Sequence, residues 1–169
     1  LSDPHVHFEL DLGWIKSVDD FYYGGMAAAS GGVTSIIDFL DPASNAKELE
    51  EAFNRRMALA KKCPIDYHLH ACIKNPTGNL EEFVKTMKRL GMNTLKLFTT
   101  YSDSGRRTYD KDIIELLKLS EKYHLLITAH IENDSMITLN NTFTYKNLLD
   151  SRPSDSETTE ALKLAGYVR

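Results

Sequence analysis

VTSIID at Val33–Asp38 is a short β-branched run of the length and composition of a buried strand. Runs of the same kind follow at Ile65–Ile73 (IDYHLHACI), Thr94–Phe98 (TLKLF) and Leu125–His130 (LLITAH). Their first residues, 33, 65, 94 and 125, are spaced by 32, 29 and 31 positions. The intervening segments carry helix-start chemistry, a short polar side chain with an acid three residues on, at Ser17…Asp20, Asn45…Glu48 and Asn79…Glu82. Leu80, Phe83, Met87 and Leu90 mark one face of a helix that Gly91 is placed to stop, and Ile113, Ile114, Leu116 and Leu117 mark a face of the next. A last capped run goes from Ser154…Glu157 into Ala161–Tyr167. The polar stretch Thr138–Asp155, with Pro153, reads as a long connection.

Strand and helix alternating every ~30 residues is the pattern of βα units around a parallel sheet buried on both faces. One unit further back, a strand is expected at the N-terminus, ending near His5–His7, which makes five. A closed (β/α)₈ barrel takes eight strands and typically about 250 residues. The expected fold class is therefore α/β, a TIM-type barrel present as an incomplete barrel of about five βα units, with residues 1–169 as one partial domain. A five-stranded doubly wound sheet of flavodoxin type is the alternative. No Gly-rich phosphate loop follows the first strand, which weighs against nucleotide binding.

At 169 residues the chain is long enough for one domain with a substantial core. Its 20 Lys+Arg against 24 Asp+Glu give a net charge of −4, which provides no basic field for nucleic acid or an anionic membrane, and neither partner is expected. Two cysteines without metal-type spacing, Cys63 and Cys72, fit buried small hydrophobes in a reducing cytoplasm. The chain opens on Leu1 with no leader pattern and reads as a segment of a longer product.

Histidine is unevenly placed: His5, His7, His68, His70 and His130 fall at or within the strand runs, and only His124 in a turn. Alternate strand residues face one side, so His5 and His7 point together, as two imidazoles must to hold one metal. A pair of this kind is also compatible with histidines satisfied within a core or turn. Lys96 lies among Leu95, Leu97 and Phe98, where an unpaired ammonium is costly. Either it pairs with a carboxylate, or its neutral amine captures carbon dioxide to give a carbamate that bridges two cations. His130 ends the next strand. Metal-ligand candidates from the first, fourth and fifth strands thus meet near the carboxyl ends, where parallel barrels carry their active sites. His68 and His70 read as core or supporting groups, Asp38 and Asp41 as capping or solvated acids with support of the site as the alternative, and Arg106–Arg107 as a solvated loop face with anion binding as the lesser alternative.

DPHVHF at Asp3–Phe8, DDFYYGGMAAASGGVTSIIDF at Asp19–Phe39, DYHLH at Asp66–His70, KLFTTY at Lys96–Tyr101, AHIEN at Ala129–Asn133 and SRP at Ser151–Pro153 together resemble the dihydropyrimidinase, hydantoinase and allantoinase branch of the amidohydrolase superfamily. The resemblance runs over essentially the whole chain. It implies two divalent metals, zinc by preference, with His5 and His7 on the more buried one, His130 on the second, and Lys96 as N6-carboxylysine bridging both. It implies that Tyr101 steadies the oxyanion and that a bridging hydroxide hydrolyses a cyclic amide such as a hydantoin or dihydropyrimidine. A further histidine from strand six, an aspartate from strand eight, the last three βα units and a flanking β-sandwich would lie outside residues 1–169. The fragment alone is then expected to be inactive, to hold metal poorly and to self-associate, and the parent to be a homo-oligomer, a tetramer by resemblance. Dihydroorotase-like members resemble HxHxR, whereas Glu9 stands at the arginine position here, which favours an uncharged ring. An allantoinase- or dihydroorotase-type hydrolase and a non-catalytic dihydropyrimidinase-related scaffold are the alternatives, retention of His5, His7, Lys96 and His130 arguing against the scaffold.

Overall fold

The computed structural model describes residues 1–139 and 146–168. Five strands, β1 (Ser2–Val6), β2 (Ser35–Phe39), β3 (Asp66–Cys72), β4 (Thr94–Phe98) and β5 (Leu126–His130), form one sheet in the order β1-β2-β3-β4-β5, every pair parallel. Helices α1 (Phe21–Ser30), α2 (Ala46–Ala60), α3 (Leu80–Arg89) and α4 (Asp110–Tyr123) fill the four crossovers. Two more follow, α5 (Leu148–Ser151) and α6 (Ser154–Tyr167). When each strand pairs only with its neighbour in sequence, right-handed crossovers all deliver their helices to the same face. That is the wall of a (β/α) barrel, here an incomplete one. A flavodoxin-type sheet reverses its strand order partway, so the sequential order removes that alternative.

Alternation along the strands sorts side chains between the helix layer and the barrel interior. On β4, Leu95 and Leu97 are buried against the helices, while Thr94, Lys96 and Phe98 stand half-buried on the other face. Leu69 and Ala71 of β3 join Leu95 and Leu97 in the main core, against Phe83 and Met87 of α3 and Ile113 and Leu116 of α4. A smaller core of Phe21, Ile36 and Ala60 seals α1 and α2 onto β2.

The helix signals hold where the cap geometry is local. Asn45 Oδ1 accepts from the Glu48 amide at 3.0 Å and Asn79 from the Glu82 amide at 2.9 Å. Gly91 takes the left-handed conformation, φ +84°, just past α3. Three expectations change. Asp20, not Ser17, caps α1, and the Ser17 hydroxyl accepts from the Leu10 amide, closing the loop after β1. Ser154 is already the first residue of α6 and makes no side-chain cap. The connection expected over Thr138–Asp155 contains the short helix α5, while residues 140–145 of it lie outside the described residues.

Helix α1 carries Gly24 and Gly25 in mid-helix, where alanine would ordinarily gain close to 1 kcal/mol. Close approach explains both. A Cβ on Gly24 would meet the Phe8 ring at 2.4 Å, and one on Gly25 would meet Pro64 Cδ at 2.5 Å. The Phe8 ring is itself set edge-on to Phe21, with ring centroids 5.7 Å apart. Gly24→Ala should therefore lower stability, by about 1–3 kcal/mol, against its helix propensity. Denaturant unfolding checks this.

Candidate functional site

The ends of the strands surround a cavity of about 340 Å³. His5 and His7 line it from β1 and the residue after it, Phe39 from β2, Cys72 from β3, Lys96 and Phe98 from β4, Tyr101 from the following loop and His130 from β5. All five residues singled out by sequence, His5, His7, Lys96, Tyr101 and His130, thus face one space. The sheet register explains this in part: Cys72 pairs with Lys96 and Phe98 with His130.

The His5 and His7 rings lie 5.2 Å apart, edge to face, and both contact the Phe39 ring, at 4.6 and 4.8 Å. Burial, with the nearby charges of His5, Arg56 and Lys96, lowers the pKa of His7 and favours its neutral, ligating form. Lys96 Nζ sits 5.5 Å from the Phe98 ring centre and 5.9 Å from that of Phe39. Among the described residues no carboxylate lies within 4.0 Å of it, so the carboxylate-paired reading of this lysine finds no partner. Burial lowers its pKa, which favours the neutral amine. Among the described residues no three His, Cys, Asp or Glu side chains cluster closely enough to hold a metal on their own.

His130 is held by its surroundings. Its Nε2 lies 2.9 Å from Glu132 Oε2 and 3.3 Å from the Tyr101 hydroxyl, which leaves Nδ1 as the nitrogen for a ligand. Burial acts to raise the Glu132 carboxyl, yet hydrogen bonds from Arg152 and His130 outweigh it and hold the pKa low. The Thr99 hydroxyl, 1% exposed, donates to the Glu132 carbonyl and accepts from the Glu132 amide, locking the turn after β5 to the end of β4.

Tyr101 has a left-handed backbone, φ +68°, which is sterically unfavourable for an aromatic residue and persists only where neighbours impose it. Asp134 imposes it by gripping both flanks: its carboxylate accepts from Thr100 Oγ1 and the Ser102 amide at 3.2 Å each, from Ser102 Oγ at 2.6 Å, and from Arg107 at 3.0 Å. The Arg152 guanidinium covers the ring, 5.2 Å from its centre. Asp134→Ala should release this loop. Amide exchange at Ser102 is expected to speed up by about tenfold or more, the loss of ~1.5–3 kcal/mol typical of hydrogen bonds to a charged group, as read by hydrogen–deuterium exchange.

Several sequence readings are corrected. Asp38 is fully buried and pairs with Arg56 at 2.6 Å, so it is neither a cap nor solvated. Asp41 is exposed, as the solvated reading has it, and it also lines the cavity and lies 3.5 Å from Arg55. Arg106 lines the cavity and Arg107 binds Asp134, so neither is a plain solvated loop residue. Glu9 is not part of the cavity wall. Its side chain, 11% exposed, lies beside Lys16 at 3.8 Å. His70 is buried, bonded to Thr94 Oγ1 and to the Pro4 carbonyl, as a supporting group should be, whereas His68 is exposed. Cys72 is buried, which pushes its thiol up to about 12 and makes it unreactive; Cys63 is partly exposed. The sequence reading passed over Glu132, Asp134, Arg152 and Arg56. Arg56 did leave a signal: it falls on the buried stripe Leu49, Ala52, Arg56, Ala60 of α2.

The family model described as Amidohydrolase family matches residues 1–157. A D-phenylhydantoinase of Escherichia coli O9:H4 (strain HS) is 33% identical over 136 residues, which are 80% of this chain and 29% of that protein. The solved D-hydantoinase of Bacillus sp. AR9 superposes with a TM-score of 0.83 at 26% identity, over 98% of this chain and 38% of that one. The dihydropyrimidinase of Brevibacillus agri NCHU1002, at 24% identity and a TM-score of 0.83, supports the fold alone. The chain thus spans about a third of the length of these relatives. With a family match over most of its length and its histidines and lysine on the rim of a parallel barrel wall, the chain belongs to the amidohydrolase family.

Proposed function

We propose that these residues are the first part of a metal-dependent active site that opens cyclic amides, hydantoin or dihydropyrimidine rings, by hydrolysis. The observation that carries the reading is the convergence of His5, His7, Lys96, Tyr101 and His130 on one cavity, with Lys96 lacking any acid partner among the described residues. His5 and His7 would hold one cation, His130 a second through Nδ1, and carboxylated Lys96 both. The Lys96 lone pair attacks carbon dioxide, an N–C bond forms and a proton is released. When bound, the divalent cations, zinc by the imidazole-rich donor set, polarise the ring carbonyl and make water acidic enough to attack near neutral pH.

The chain's own residues do the rest. Burial raises the pKa of Tyr101 and keeps its hydroxyl protonated, so it donates a hydrogen bond to the oxygen that gains charge as the carbonyl is attacked. Phe39 and Phe98 keep the space around Lys96 apolar. The ring C–N bond breaks, hydroxyl stays on carbon and a proton goes to nitrogen. That transfer is assigned to an aspartate outside residues 1–169, as the family likeness implies, so the isolated 169-residue chain is expected to be inactive. By the same likeness the full-length protein is a homo-oligomer.

The full-length protein carrying residues 1–169 should convert hydantoin or dihydrouracil to its ring-opened carbamoyl acid. Activity should vanish on treatment with a chelator and return with zinc or manganese. Failure to open hydantoin, dihydrouracil or any substituted derivative of them with both metals bound would overturn the reading.

A further inference from the structure

The described residues contain six arginines, and five have a carboxylate within 4.0 Å: Arg55 with Asp41, Arg56 with Asp38, Arg89 with Glu50, Arg107 with Asp134 and Arg152 with Glu132. Arg106 has none among the described residues, and Arg106 lines the cavity. Its tandem neighbour is taken up structurally, by Asp134 and by stacking 5.0 Å over the Tyr109 ring. Arg106 is anchored through its backbone instead, its amide donating to the Tyr101 carbonyl at 3.1 Å. The loop that fixes Tyr101 therefore also fixes the base of Arg106.

Arg106 is half-buried on a wall that it shares with the apolar Leu10, Leu12, Pro42 and Phe98 as well as with polar groups, and a guanidinium there gains from an anion. Of the other cationic groups on that wall, Arg56 is neutralised by Asp38, and Lys96 is committed to the metal centre under the function proposed above. Asp41, the one acid on the wall, sits with Arg55. Glu9, the acid that would have opposed a negative substituent, stands outside the wall beside Lys16.

We propose that Arg106 binds a carboxylate carried by the substrate, so that the ring this site opens is a cyclic amide with an acidic substituent. The guanidinium fork matches a carboxylate with two parallel hydrogen bonds, and the apolar wall strengthens both. The inference rests on the cyclic-amide reading and narrows it.

The test uses the metal-loaded full-length protein and four rings: dihydrouracil, hydantoin, hydantoin-5-acetate and the methyl ester of that acetate. Hydantoin-5-acetate should be preferred over its ester by about 10–100-fold in kcat/KM, less at high salt. Arg106→Gln should raise the KM for the acetate by about 10–100-fold, at least tenfold more than it changes the KM for dihydrouracil, and Arg106→Lys should keep part of the preference. Equal rates on acid and ester, or an Arg106→Gln effect of the same size on every ring, would overturn the carboxylate assignment while leaving cyclic-amide hydrolysis intact. If none of the four rings opens, the underlying reading fails instead. The acid-to-ester comparison needs no variant, so the test does not depend on the folding of a mutant.

Discussion

Lys96→Ala in the full-length protein is expected to lower kcat/KM by about 10³-fold or more and to strip metal from the site, without lowering the stability of the metal-free protein. The two halves of this expectation have different physical origins. The amine is half-buried between Phe39 and Phe98 with no acid beside it among the described residues, so in the metal-free protein it contributes a desolvation cost and little else. Alanine, or better methionine, relieves that cost. Under the proposed function, a carbamate at Lys96 would bring a negative charge and hard oxygen donors to bound dications, and losing it would remove several kcal/mol of transition-state stabilisation, tenfold in rate for each ~1.4 kcal/mol. A lysine serving only structure would behave the other way, with a lower melting temperature and near-normal turnover. Kinetics, metal analysis and thermal melting of the metal-free variant separate the two.

Arg56→Ala should be the most destabilising single change on the described part of the chain, by about 3–5 kcal/mol, because it strands the fully exposure-shielded carboxylate of Asp38 without its partner. Arg56 also donates to the carbonyl of Phe8, the residue directly after His7, so its loss loosens the strand end that presents both histidines. Replacing Arg56 and Asp38 together by Met and Leu should cost far less than Arg56→Ala alone, since no buried charge is then left unpaired. Denaturant unfolding of the three variants checks the order; a double variant as unstable as the single one would contradict it.

The barrel wall was legible because its signals are periodic and local. Strand runs near every thirtieth residue required parallel crossovers, and Asn45–Glu48 and Asn79–Glu82 capped as their spacing implies. The cavity ligand candidates were legible because imidazoles and a lysine are conspicuous in apolar strands. What the sequence hid depends on pairing across long separations. Arg56 meets Asp38 from 18 positions away, Arg152 meets Glu132 from 20, and Asp134 reaches Ser102 from 32. No spacing rule connects such partners, because the fold and not the chain brings them together. Glu9 shows the same limit: position in a motif said nothing of its turn at φ +45° or of its contact with Lys16. Tyr101 shows the same limit from the other side, its place in the motif being visible and its left-handed backbone not.

The central claim is that Lys96 becomes a carbamate shared by two cations, and ¹³C NMR of the full-length protein given labelled bicarbonate tests it most directly. A protein-bound carbamate carbon should appear when zinc is added, disappear on chelation and be missing from Lys96→Ala. Two bound metals with no carbamate signal, or a signal that persists in Lys96→Ala, would contradict the account.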